Sequence, residues 1–227
     1  MLKSGLTIAV SLTLAAGVAL PSAADELEDA IDELTESQTV FEEIAADPDT
    51  RIPPELLQRS EAVIIITNLG QGGFIVGGRS GDGVMLVRQV NGAWSNPAFL
   101  SLGGGSIGLQ FGGRSSDLVM LVQNNETVAD IINGGAEFGA DLSGTAGPVS
   151  GSAANPAESD DDILVYSRSS GLFGGVAFDG STFSFDEDRN EVFYNQVNVT
   201  PEQILLGDTL TPGASSAALE RALLDAQ

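Results

Sequence analysis

The chain contains no histidine and no cysteine. Without histidine there is no Ser-His-Asp or Cys-His catalysis, and the usual zinc and copper sites lose their commonest ligand. Without cysteine there are no disulfides, no thiolate chemistry and no lipoprotein attachment point. The only lysine is Lys3, close to the N-terminus. The rest of the chain therefore has eight arginines as its only cationic side chains, so Ser-Lys and Schiff-base mechanisms are excluded. One tryptophan and two tyrosines are too few to build a sugar platform, which argues against paired-carboxylate glycosidase chemistry.

Carboxylates are plentiful by contrast. Thirty-two Asp and Glu residues set the formal charge at −23. Such a surface repels the phosphate backbone of nucleic acid, so no nucleic-acid partner is expected. It also repels an anionic bilayer. A lysine-free acidic surface suits a salt-rich medium, where ions screen self-repulsion.

Glycine is abundant, with 28 residues, and it falls mostly inside apolar, β-like stretches. The most informative of these occurs twice. Residues 73–87 read GFIVGGRSGDGVMLV, residues 108–122 read GLQFGGRSSDLVMLV, and ten of fifteen positions are identical. One supersecondary unit is therefore used twice. Each copy predicts a strand, a turn at Arg-Ser-x-Asp and a returning strand, with Arg79 and Arg114 steadying the turns through Asp82 and Asp117.

Residues 1–24 predict a cleavable signal peptide: Lys3, an apolar run from Leu6 to Val18, then small residues, with cleavage expected after Ala24. The mature protein is then expected to be periplasmic or secreted. Residues 25–50 are an acidic amphipathic segment, helical over 25–46, with Leu27, Ile31, Leu34, Phe41 and Ile44 on one face. Membrane-surface helices carry Lys and Arg on the polar face, so docking onto the domain is the expectation. Residues 51–227 form the remaining domain. Prolines 53 and 54 open a short helix over 54–60, and Val63-Ile64-Ile65-Ile66 predicts a strand buried on both faces. Asn91-Gly92 is a hairpin signal ahead of a Trp94-Ser95-x-Pro97 turn. Asn125 is expected to cap a helix over 126–133, and a strand is expected over 136–146. Further strands are expected at 163–167, 172–178 and 182–185. Thr200-Pro201-Glu202-Gln203 is a capping box, and a last helix over 215–226 places Leu219, Leu223 and Leu224 on its apolar side. The fold class is α+β: a Gly-rich antiparallel β-sheet or partial barrel with a duplicated hairpin, flanked by N- and C-terminal helices.

Several motifs are misleading. Gly104-Gly105-Ser106-Ile107-Gly108 matches a nucleophile elbow, but Ser106 has no base. Gly103-x-Gly105-x-x-Gly108 matches a dinucleotide fingerprint but leads into a strand. Asp186-x-Asp188-x-Asn190 begins like a calcium loop, yet Glu191 stands where glycine is required. No cofactor, metal site or catalytic residue is expected. An arginine in so acidic a chain either pairs with a carboxylate or reads a phosphate.

Other stretches together carry a resemblance. They are Ile52-Pro53-x-x-Leu56-Leu57, the glycine-rich stretch 81–88 ending at Arg88, Gly92-x-Trp94-Ser95-x-Pro97-x-Phe99 and Gly105-Ser106-Ile107-Gly108-Leu109-Gln110. Ala146-Gly147-Pro148-Val149 and Tyr166-Ser167-Arg168-Ser169-x-Gly171-Leu172-Phe173 follow. In this order, over about 40–210, they resemble the SYLF domain family in a secreted, bacterial-type form. The resemblance implies a non-enzymatic module that binds membrane lipid or phospholipid. Some eukaryotic members also bind actin, which is not expected as a partner of a secreted chain. Candidate headgroup contacts are Arg51, Arg88 and Arg168, and candidate apolar contacts are Trp94, Phe99 and Phe173. The alternative is a structural or adaptor role in the cell envelope through an envelope protein partner.

Overall fold

The computed structural model describes residues 22–48, 51–73, 76–107, 114–134, 136–146, 161–167, 178, 180–211 and 213–227. The element order is α1 (Ala23–Ala46), α2 (Pro54–Arg59), β1 (Ala62–Gly73), β2 (Val76–Val87), β3 (Ala98–Ile107), β4 (Arg114–Val122) and α3 (Asn125–Asn133). It continues through β5 (Gly144–Ala146), β6 (Ile163–Ser167), β7 (Ser181–Phe185), α4 (Glu187–Tyr194), α5 (Pro201–Leu205) and α6 (Ala214–Asp225).

One open sheet runs in the order β5-β6-β4-β1-β2-β3-β7. All neighbours pair antiparallel except the short β5, which lies parallel to β6. With helices at both ends of the chain, the α+β expectation holds, as an open sheet and not a barrel.

The duplicated stretch explains the centre of the sheet. Its two copies become β2 and β4, and they flank β1 from either side in equivalent register. Ile64 faces Met85 on one side and Met120 on the other, and Gln71 faces Arg79 and Arg114. The predicted turn at Arg-Ser-x-Asp is therefore wrong, because Arg79, Ser80 and Asp82 lie inside one continuous strand. Side chains alternate along a strand, so Arg79 and Asp82, three apart, point to opposite faces. The predicted Arg79–Asp82 pair does not form: Asp82 lies 3.7 Å from Arg189, while Arg79 lies over the Phe178 ring. Asp117 accepts the Asn68 backbone N–H at 3.0 Å. Asn68 takes a left-handed φ of 50° where β1 bulges and its register to both neighbours shifts.

Both faces of the sheet are covered, as Val63–Ile66 predicted. Val63, Ile65, Val84, Leu86, Phe99, Val119 and Leu121 pack under α1, α2 and α6. Ile64, Ile66, Met85, Leu100, Leu102, Leu118 and Met120 pack against Val128, Ile131 and Ile132 of α3 and Ile204 and Leu205 of α5.

The helix α1 docks, as its acidic polar face suggested. It buries Ala30, Leu34, Ser37, Val40, Phe41 and Ile44, whereas Leu27 and Ile31 remain exposed. It starts at Ala23 with a capping box between Ser22 and Asp25. Polar groups register it on the sheet: Thr67 Oγ1 donates to Glu33 at 2.9 Å and Asn68 Nδ2 donates to Glu36. Leu219 and Leu223 of α6 are buried, but Leu224 is exposed.

Smaller expectations are corrected. The cap of α3 is Asn124, which accepts from the Thr127 N–H. Within 136–146 only β5 and isolated bridges are extended. The Asp186-x-Asp188-x-Asn190 stretch, already set aside as a calcium loop, is the start of α4, with Asp186 as its cap. The capping box at Thr200 and Gln203 forms as expected. The expected strand at 172–178, apart from Phe178, and nearly all of the predicted signal peptide lie outside the described residues.

Candidate functional site

Two of the predicted site residues meet at a turn that projects from the end of β2. Arg88 and Trp94 form an antiparallel bridge. Between them Gln89–Ala93 reverses the chain, with Gly92 at a φ of +84° that a side chain disfavours. The Gln89 N–H donates to Ala93 O and the Gly92 N–H to Gln89 O, each at 2.8 Å, while Asn91 Oδ1 accepts the Ala93 N–H at 2.9 Å. The Asn-Gly pair thus forms the hairpin it predicted.

Below the turn, the Arg88 guanidinium stacks on the Trp94 ring with its carbon 4.1 Å from the centroid. Its Nε donates to Ser60 O at 2.9 Å and its Nη2 to Leu57 O. Its Nη1 reaches Gly92 O at 3.3 Å and Gln227 Oε1 at 3.4 Å. Burial lowers the Arg88 pKa, and the nearby Glu61 carboxylate acts the other way. Ser95 finishes the lock: its N–H donates to Val87 O at 2.8 Å and its hydroxyl accepts the Val87 N–H at 2.9 Å. One arginine therefore joins α2, β2, the hairpin and the end of α6. Gln89 Nε2 joins the same hairpin to α5 through Leu205 O at 2.8 Å.

The geometry gives the predicted contacts different positions. Trp94 is buried and Phe99 fully so, the latter edge-on to Phe193 at 5.1 Å. Arg88 is half-buried, and its donors face protein acceptors. Arg51 is exposed in the segment between α1 and α2. Arg168 and Phe173 lie outside the described residues; Tyr166 and Ser167, just before them, are buried in β6. What the hairpin offers to solvent is its tip, where Val90 is fully exposed.

A second polar cluster sits where α1 and α4 meet the sheet. Arg189 lies 3.7 Å from Asp82 and 3.5 Å from Asp186. Burial pushes the Glu33 pKa up, against the opposing effects of the Thr67 hydrogen bond and Arg189. The sequence reading missed Arg189. Its one signal was its place after an N-capping Asp, which instead suggested a calcium loop.

A cavity of about 400 Å³ opens beside Phe138, Leu142 and Phe178, with Asp141, Asp161 and Asp162 on its rim. Burial alone would raise the Asp162 pKa, but hydrogen bonds from the Ser143 N–H and hydroxyl and from Asn124 hold it below the usual value. Asp162 is thus occupied in pinning β5 to β6. Among the described residues, no group of three or more carboxylates is placed to hold a metal ion, and no helix is long and apolar enough to cross a membrane.

Comparison with known proteins places the chain in a family. Residues 103–226, more than half of the chain, match the family model described as "Ysc84: Las17-binding protein actin regulator". The chain is 34% identical over 176 residues to Protein YSC84 of Saccharomyces cerevisiae, covering 75% of this chain and 37% of that protein. It is 33% identical over 171 residues to LAS seventeen-binding protein 3 of the same species, covering 73% and 37%. It is 30% identical over 176 residues to the human SH3 domain-containing YSC84-like protein 1, covering 76% and 51%. The chain thus spans between about a third and a half of the length of these relatives, and by the family model and these identities it belongs to the Ysc84, or SYLF, family.

Proposed function

We propose that this chain is a non-enzymatic phospholipid-binding module of the cell envelope. The observation that carries the reading is the Trp94 hairpin. Its Trp-Ser-x-Pro segment belongs to the resemblance that implies lipid binding, and it is built as a rigid support for an exposed, uncharged tip. Arg88, Trp94 and Ser95 hold the support, so the contact belongs to the tip and its neighbours. Among the described residues, both faces of the sheet are packed beneath helices. The apolar run after Lys3 supports export, and mass measurement of the native protein's N-terminus checks cleavage after Ala24.

The test is extraction of the full chain without detergent, followed by native mass spectrometry and lipid analysis. Stoichiometric phospholipid, or co-flotation with vesicles, supports the module. Neither, at any salt concentration, overturns it.

A second reading has its own support. The names of the relatives describe proteins that bind another protein, Las17, or that carry an SH3 domain. An adaptor role through an envelope protein follows if a pull-down with the full chain recovers one specific partner and the purified protein carries no lipid.

A further inference from the structure

The large apolar side chains left in water are not scattered. Among the described residues six are exposed: Leu27, Ile31, Val90, Val197, Leu206 and Leu224. Four of them belong to segments fastened at one end of the molecule. Val90, with a relative exposure of 111%, tops the hairpin. Leu206, at 57%, caps α5 next to Leu205, whose carbonyl accepts from Gln89. Val197, at 76%, lies in the loop between α4 and α5. Tyr194 Oη ties the start of that loop to Pro97 O, and Gln196 Nε2 reaches Gln203 of α5 at 3.5 Å. Leu224 is in the last turn of α6, where Gln227 meets Arg88.

Around Val90, Val197 and Leu206 the sequence is nearly free of charge, although Glu191 accepts from the Asn198 N–H beside Val197 and α6 carries Glu220, Arg221 and Asp225 around Leu224. No charged residue occurs from Gln89 to Leu100, and from Val192 to Leu219 there are only Glu202 and Asp208. Elsewhere the chain carries thirty of its thirty-two carboxylates. Any surface that approaches the body of this protein meets a negative field, and this end can touch an apolar layer without burying many carboxylates.

We infer that this end, led by Val90 and Leu206, inserts into the interfacial layer of a zwitterionic phospholipid bilayer. The inference rests on the phospholipid reading and names its contact surface and lipid class. The apolar residues stand on a hairpin tip, a loop and a helix end, so they project and do not line a groove. Projecting aliphatic tips suit a deformable apolar layer better than a rigid, shape-matched protein. The acidic body opposes anionic lipid, so the preference is for headgroups without net charge, the reverse of a basic membrane-binding helix.

The test is flotation of the full chain with phosphatidylcholine vesicles and with vesicles that also contain phosphatidylglycerol. Binding to phosphatidylcholine is expected, with binding to the mixed vesicles weaker at low salt and recovering in high salt. The double variant Val90→Ser/Leu206→Ser should lose about tenfold in partitioning with an unchanged melting temperature, because exposed positions carry little stability. Val90→Trp should partition more strongly, as tryptophan favours the interface. Parent-like partitioning of the double variant overturns the surface assignment and leaves the phospholipid reading standing. Tighter binding to phosphatidylglycerol overturns the lipid class. Absence of binding to every vesicle overturns both readings. Sedimentation showing a dimer that the double variant abolishes, without vesicle binding, assigns the patch to a second copy and also overturns the inference.

Discussion

At Arg88 a single guanidinium serves two main-chain carbonyls of α2 and its cap, a third in the hairpin, and the Trp94 ring. Lysine offers one point charge in place of a planar fork and cannot both stack and bridge. Arg88→Ala should therefore cost about 3 kcal/mol in urea unfolding, and Arg88→Lys should recover less than half of that. Equal stability of Lys and Arg at this position would show that charge alone matters. Glu33 makes a different residue-scale prediction. Burial raises its folded pKa above the ordinary value of 4.5, so the native state binds this proton more tightly than the unfolded chain does. Its contribution to stability is complete below that ordinary value and is lost as pH rises through the raised folded value. Glu33→Gln keeps an acceptor for Thr67 and removes the titration. Between the ordinary Glu value and neutral pH, the parent should lose stability relative to the Gln variant. Parallel curves of stability against pH for the two proteins would refute this.

The elements show how much of the fold the sequence carried. Strand β1 was legible because four consecutive β-branched residues are rare outside a doubly buried strand. The copies were legible as a repeat but not as continuous strands. Arg-Ser-x-Asp reads locally as a turn, and only pairing to β1 on both sides extends it. Helix α4 was illegible because its buried group is polar: Asn190 donates to Phe99 O and accepts from Phe99 N–H, continuing the edge of β3 just beyond Phe185. The hairpin site was half legible. Its segment was found, but the aromatic residues that drew attention to it are the support, and the exposed tip is a valine with no motif value. Glycine adds a prediction at this scale. A Cβ at Gly83 would lie 1.9 Å from Ile65 O, and one at Gly104 would lie 2.5 Å from Gly180 O. At Gly105 nothing stands within 4 Å. Gly83→Ala and Gly104→Ala should each destabilise by about 2 kcal/mol or more, since backbone must move. Gly105→Ala should be neutral or slightly stabilising, by up to about 1 kcal/mol. Equal losses at all three positions would mean that the strands need glycine for a reason other than contact.

At the scale of the molecule, α1 is part of the core and not an appendage. Leu34, Val40, Phe41 and Ile44 are buried against the sheet face that holds Val63, Ile65 and Val84. Four such side chains contribute about 8 kcal/mol of gross burial, comparable to the whole stability of a typical domain. A chain starting at Arg51 should therefore bind a hydrophobic dye and lose its cooperative transition; a cooperative, dye-free fragment would show that the sheet stands without α1. The second molecular prediction concerns charge. With −23 formal charges on 227 residues, repulsion extends across the surface at low ionic strength. The attractive side includes the Arg189 contacts at 3.7 and 3.5 Å, and Arg189 is partly exposed, so these are worth little. Screening acts over about 10 Å at 0.1 M salt and about 3 Å at 1 M, and removes more repulsion than attraction in a chain so unbalanced. The melting temperature should rise steadily from low to molar NaCl, and KCl should match it, because screening does not depend on the identity of the cation. A steady fall would mean that close ion pairs outweigh the net field. A rise with one cation alone would point to specific cation binding by the acidic surface.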